Sequence, residues 1–153
     1  MNADRPRRGA RSVFRARHRI SRDLDYRAAH RARLRKSAGP LVVFARPTDR
    51  PEARLGLSVG RRVGKAVRRH RIKRLLREAF RLDRARLPAP AGGAYDLVVS
   101  VRPHEPAGLD DYRRWLAEAA RRTDAEHRKR LRRLGDGGAP GPGVAGPARG
   151  GAS

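Results

Sequence analysis

Two periodicities divide the chain. At residues 54–59 the apolar positions alternate, placing Leu55, Leu57 and Val59 on one face, and Leu41-Val42-Val43-Phe44 forms a compact β-rich run. Both read as strands. Pro47, Asp49 and Pro51 lie between them, so the pair predicts an antiparallel hairpin around a loop. Beyond Gly60 and Gly64, which flank a basic turn, the period changes to 3.6. Ile72, Leu75, Leu76, Ala79, Phe80 and Leu82 then share one broad arc of a helix. Residues 95–101 (YDLVVSV) predict a central strand. Asp110 and Asp111 lead a second long helix carrying Tyr112, Trp115, Leu116, Ala119 and Ala120. Upstream, Leu24, Ala28 and Ala29 mark a short helix over 22–31, with Ser21 as its N-cap and Asp23 and Asp25 at its positive end. Residues 31–39 are basic and finish in Gly39-Pro40, a turn signal. Helix, strands, basic helix, strand, helix is the order of an α+β fold with one small sheet packed with helices.

The ends differ from this middle. Residues 1–18 are basic and aperiodic and predict a mobile arm, leaving a domain at 19–125. Over 126–153 the apolar stripe thins into a charged helical extension. A Gly/Ala/Pro-rich tail expected to be disordered follows it. Trp115 and Phe80 are assigned to packing. The charged stretch 121–133 fits either a solvated helix or a contact with a partner of opposite charge.

Charge changes the picture most. Lys+Arg of 39 against Asp+Glu of 15 gives 39 − 15 = +24. Self-repulsion on that scale opposes compaction and calls for a polyanionic partner. A nucleic-acid backbone is the natural one, since neutralising its phosphates releases counterions. No apolar run approaches the ~20 residues of a spanning helix, so a membrane is not expected as partner. The basic start has no apolar stretch after it, and the chain has no cysteine. A cytoplasmic protein without disulfides or thiol chemistry is the simplest reading. The positive charge concentrates around the basic turn and helix, where His70, Arg71, Lys73, Arg74, Arg77 and Arg81 lie opposite the apolar arc. The acidic pairs Asp23/Asp25 and Asp110/Asp111 each open a predicted helix, so capping explains them better than metal ligation.

The stretch 54–80, RLGLSVGRRVGKAVRRHRIKRLLREAF, resembles the signature of the bacterial ribonuclease P protein component. The family pattern is an Arg-hydrophobic-Gly-Leu-Ser-Val strand, a basic turn, a Gly-x-Ala-Val helix start, an Arg-Asn-Arg triplet and Ile-Lys-Arg-x-hydrophobic-Arg. Here the triplet is Arg69-His70-Arg71, and Ile72-Lys73-Arg74 and Arg77 follow. Tyr26 and Phe44 stand where the family places aromatics, and 95–99 with Arg102 matches its Asp-led strand and closing arginine. Two departures are His70 in place of asparagine and His30 where another aromatic is common. A neutral His70 keeps one donor and one acceptor, and gains charge as pH falls.

The resemblance implies an α-β-β-β-α-β-α order with a left-handed β-α-β crossover, against the right-handed default. It also implies an endoribonuclease subunit, part of a ribonucleoprotein hydrolase that removes the 5′ leader from precursor tRNA. The implied partners are the catalytic RNA subunit and precursor tRNA, with no small-molecule substrate. Arg61, Arg62, Lys65, Arg68, Arg69, His70, Arg71, Lys73, Arg74 and Arg77 would contact RNA, while Tyr26, His30 and Phe44 would line a cleft for the leader. Without the resemblance, Tyr26 and Phe44 read as core. No catalytic or metal-binding residue is expected in the protein, and no cofactor bound by it alone. Hydrolysis, with magnesium, would belong to the RNA. Two other functions fit the charge: a structural RNA-binding protein, and a nuclease acting unaided. Sequence-specific DNA binding fits less well, because no helix-turn-helix spacing appears.

Overall fold

The computed structural model describes residues 14–136. Helix α1 (Asp23–Arg31) precedes strands β1 (Leu34–Ala38), β2 (Leu41–Thr48) and β3 (Arg54–Ser58). Helix α2 (Ala66–Asp83), strand β4 (Ala94–Val101) and the long helix α3 (Leu109–Asp136) complete the domain. Short 3-10 turns at Ala16–His18, Arg61–Val63 and Arg84–Arg86 link the elements. The α+β architecture with one sheet is thus as expected, in the order α-β-β-β-α-β-α.

Sheet order is β1-β2-β4-β3. The hairpin expected between the second and third strands does not form. β2 pairs antiparallel with β1 across the Gly39-Pro40 turn and with β4 on its other side, while β3 pairs in parallel with β4 and is bridged at Leu55 by Arg19 on its outer edge. A parallel pair needs a long crossover, and α2 supplies it. One cause lies in the charges: Asp96 on β4 stands in register with both Arg46 on β2 and Arg54 on β3. Its carboxylate accepts two hydrogen bonds from Arg54, at 2.8 and 2.7 Å, and lies 3.3 Å from Arg46. Asp96 is fully buried, so placing it between two arginines compensates its desolvation.

β1 was read only as a basic segment. Its inward positions, Leu34 and Ala38, are buried, and Lys36 on the same face pairs with Glu126 of α3 at 3.7 Å. One short edge strand with a single apolar face leaves little periodic signal. The α1 start also differs: Arg22, not Ser21, is the N-cap, without a side-chain cap. Asp25 instead reaches the Arg54–Asp96 pair, 3.5 Å from Arg54. Asp111 does act at a helix start, accepting the Gly108 N–H at 3.0 Å.

Strand alternation gives the sheet two unlike faces. Leu41, Val43, Leu55, Leu97 and Val99 join Ile72, Leu76 and Phe80 of α2 and Tyr112 and Leu116 of α3 in the main core. Gly39, at φ +53°, faces the Trp115 indole so closely that a Cβ would lie 2.4 Å from it. The opposite face carries a smaller cluster, Ile20, Ala29 and Val98, with Tyr26 and Phe44 packed against it. That face is only partly covered, by α1.

The arm expected over 1–18 is anchored from Phe14 onward; residues 1–13 lie outside the described residues. Phe14 meets Phe80 edge-to-face at 5.8 Å. His18 is fully buried, accepts the Arg15 N–H at 3.0 Å and lies 2.5 Å from Glu52. The helical extension expected past 126 is continuous with α3, and the tail from 137 lies outside the described residues.

Candidate nucleic-acid interface

The first surface is the 3-10 turn and the outer face of α2. Arg61, Arg62, Lys65, His70, Arg71 and Arg74 are exposed, and Arg68, Arg69, Lys73 and Arg77 are half-buried. Among the described residues, none of these ten side chains forms an ion pair with a carboxylate. The acids are engaged elsewhere: Glu78 by Arg81, Asp83 by Arg113 at 2.7 Å, Asp124 by Arg128 at 2.8 Å. The carboxylates of Asp83 and Glu78 are held below their ordinary range chiefly by those arginine hydrogen bonds. The sequence therefore leaves a long cationic face without internal neutralisation.

That face is not uniform. Arg68 turns back to the Val63 carbonyl at 3.1 Å and also donates to the His104 carbonyl, tying α2 to the loop after β4. Arg69 donates to the Gly64 carbonyl at 3.2 Å. These two brace the turn that presents Arg61 and Arg62. His70 has no hydrogen-bond partner among the described residues; it borders an open cavity of about 360 Å³ with Phe14, Arg74, Arg77 and Glu78.

Arg77 also lines, with Lys73, a second, small cavity of about 100 Å³ shared with Phe14, Arg19, Tyr26 and Leu57. Burial lowers the Arg77 guanidinium from its ordinary value, and the charge of Arg19 lowers it further. Two cations crowded without a carboxylate form a natural seat for an anion.

The second surface is the partly covered sheet face. Along one row of the register lie Arg35, Phe44, Val98 and Gly56. Tyr26 leans over this row from α1 and caps the open edge of β3: its hydroxyl accepts the Leu57 N–H at 3.1 Å and donates to the Leu57 carbonyl at 3.4 Å. Gly56 is what admits it, since a Cβ there would lie 2.9 Å from the tyrosine ring and hydroxyl. Ile20 donates to the Leu55 carbonyl at 2.9 Å and covers the rest of that edge. Such cover protects an edge strand from pairing with another chain.

His30 and Phe44 meet with ring centroids 4.2 Å apart, tilted by 45°. His30 Nδ1 donates to the Tyr26 carbonyl at 2.7 Å, so its Nε2 edge stays free on an exposed ring. Tyr26 and Phe44 are half-buried, each resting on the small core with part of its ring in the cleft. All three expected cleft residues therefore come together in one place. Sequence reasoning missed Phe14, Arg19 and Arg35, which border it. Arg35 lies over Phe44, 5.7 Å from the ring centroid, and Arg19 over Phe14 at 5.4 Å. For Arg35 a signal existed, the alternation of Arg31, Arg33 and Arg35 with Ala32 and Leu34.

Among the described residues no three His, Asp or Glu side chains gather as a metal-holding group, and no helix is long and apolar enough to cross a membrane. A single-sheet α+β domain with an unneutralised arginine face beside an aromatic, cation-edged cleft defines a class, the small basic α+β proteins whose surface is suited to polyanions. The family follows from comparison: a ribonuclease P family model matches residues 14–124, and the chain belongs to that family. The ribonuclease P protein component of Desulfovibrio desulfuricans is 40% identical over 102 residues, covering 65% of this chain and 75% of that protein. The Ruegeria pomeroyi component is 43% identical over 101 residues, 60% and 78% of the two chains. Among solved structures, the RNase P protein from Thermotoga maritima matches with a TM-score of 0.56 at 29% identity, over 67% of this chain and 96% of its own. The Staphylococcus aureus protein matches with a TM-score of 0.56 at 26% identity, over 68% and 93%.

Proposed function

We propose that this chain is the protein subunit of a ribonuclease P, docking on a catalytic RNA through the Arg61-to-Arg77 surface and holding the single-stranded 5′ leader of precursor tRNA in the Tyr26–His30–Phe44 cleft. The observation that carries it is the separation of two kinds of surface on one small domain. A folded RNA presents phosphate ridges, for which a rigid helix with unpaired guanidiniums is suited. A single strand presents unstacked bases, for which flat rings with a cationic border are suited. Stacking contributes about 1–3 kcal/mol per base, enough for two platforms to favour leader-bearing over mature tRNA.

Lys73 and Arg77 serve the cleft in this reading as well as the helix, because they share its small cavity with Tyr26. The leader backbone would pass between these cations on the β3 side and Arg35 on the β1 side. Phosphodiester hydrolysis belongs to the RNA and its magnesium ions. The buried carboxylates Asp96 and Asp83 are engaged by guanidiniums, of Arg54 and Arg113, and the protein's part is to position substrate.

Reconstitution tests this. Cleavage of precursor tRNA at modest magnesium is expected from the cognate catalytic RNA plus this protein, and none from protein alone. Cleavage by protein alone would place the chemistry in the chain, and absence of any stimulation would leave a structural RNA-binding role.

A further inference from the structure

The junction between α1 and β1 carries a feature that starts at the cleft's β1 edge and runs beyond both surfaces. Arg31, Arg33 and Arg35 are exposed, alternate with the inward Ala32 and Leu34, and form no ion pair among the described residues. They begin where the platform ends: Arg31 follows His30, and Arg35 stands in register opposite Phe44 with its guanidinium 5.7 Å from the ring centroid. Arg33 adopts φ +57°, a conformation rare for a residue with a Cβ. Its backbone is held from outside. Arg130 on α3 donates to the Ala32 carbonyl at 3.2 Å and the Arg33 carbonyl at 2.8 Å, with Glu126 steadying its Nε at 3.2 Å. Arg122 adds a 2.6 Å hydrogen bond to the Ser37 carbonyl. Arg130 lies beyond residue 124, where the family match ends.

We propose that Arg31, Arg33 and Arg35 form a phosphate-gripping strip that takes single-stranded leader beyond the His30–Phe44 platform, and that Arg130 is a positioning residue holding this strip. The proposal rests on the leader-cleft reading above. The strip edges the sheet at β1, three strand spacings (about 14 Å) from the β3 edge that Lys73 and Arg77 border. A chain of phosphates crossing the aromatic row would therefore meet cations at both ends. Three free forks at the far end fit a polyanionic strand better than a discrete ligand, because no enclosed pocket or carboxylate fixes their geometry.

The test is equilibrium binding of uncleavable precursors by the holoenzyme, with leaders from one that ends at the platform to one several nucleotides longer. Wild type and the double variant Arg31→Ala/Arg33→Ala, which spares Arg35 over the Phe44 platform, are compared across salt. Each lost single-strand contact removes roughly 0.7 from the log–log salt slope, so the double variant should lose about 1.4 for long leaders, with binding weakened several-fold. The shortest leader should bind as in wild type. Arg130→Ala should show the same leader-length signature with a smaller loss. Equal weakening at every leader length would overturn the strip as a leader contact, and so would weaker binding of the variant to the catalytic RNA alone. A wild type indifferent to having any leader would instead sink the cleft reading beneath it.

Discussion

At the residue scale, the buried pair of Arg54 and Asp96 carries the most structural consequence. The guanidinium is held above its ordinary value, first by its hydrogen bonds to Asp96. Removing one member strands a buried charge. Arg54→Ala is therefore expected to destabilise the domain by about 3–5 kcal/mol, read by urea unfolding; a loss under 1 kcal/mol would show that Arg46 and Asp25 compensate. Tyr26 has two roles, a ring in the cleft and a hydroxyl on the β3 edge. Tyr26→Phe keeps the ring and loses the Leu57 hydrogen bonds, so stability should fall by about 1 kcal/mol while preference for precursor over mature tRNA persists. Asp83 supplies a pH dependence. Its carboxyl is held below the ordinary Asp range by Arg113, so its pairing stabilises the fold fully above that range and is lost as pH falls through the folded-state value. Asp83→Asn should accordingly flatten the acid side of the stability–pH curve, and an unchanged curve would assign acid sensitivity to other groups such as Glu52.

At the element scale, α2 was legible because an 18-residue helix repeats its pattern several times: Ile72, Leu76, Ala79 and Phe80 are buried as read, whereas Leu82 is only half-buried and Asp83 is buried instead. The sheet was harder to read. β2 and β4 are buried on both faces and announce themselves as apolar runs, but β1 (LRKSA) buries only Leu34 and Ala38 fully. The pairing of β3 with β4 depends on Asp96, 42 residues past its partner Arg54; no local signal encodes such a partner. Among site residues, Tyr26, His30 and Phe44 were found through resemblance. From pattern alone the two larger rings read as core, and their half-burial explains why both descriptions hold. Arg35 went unread because its value comes from cross-strand register with Phe44. The division of labour along α2 makes a prediction at this scale. Arg71 and Arg74 are exposed and free of carboxylates, so replacing both with alanine should lower the salt slope for catalytic-RNA binding by roughly 1 per residue. Arg68→Ala should act differently, loosening the turn it braces against His104, with hydrogen exchange at residues 61–65 as the readout.

At the scale of the whole molecule, a net charge of +24 is tolerated while most of the described acids are spent on local ion pairs. They pair at the α2–α3 contact, along α3 and between β2, β3 and β4, where the fold needs them, and leave the turn, α2 and the α1–β1 junction cationic. Most of the arginines paired with acids thus serve the fold, and exposed ones such as Arg71 and Arg74 are left without carboxylate partners. The central claim is that two surfaces hold two kinds of RNA, and a crossed comparison tests it most directly. Affinity for the catalytic RNA, and the holoenzyme's preference for precursor over mature tRNA, would be measured for Arg71→Ala/Arg74→Ala and for Tyr26→Ala/Phe44→Ala. The first pair should weaken catalytic-RNA binding and leave the preference intact. The second should bind the catalytic RNA normally and lose about 1–3 kcal/mol of preference per stacking base. If each pair of substitutions impaired both measurements equally, the two surfaces would be one, and the division proposed for this domain would be wrong.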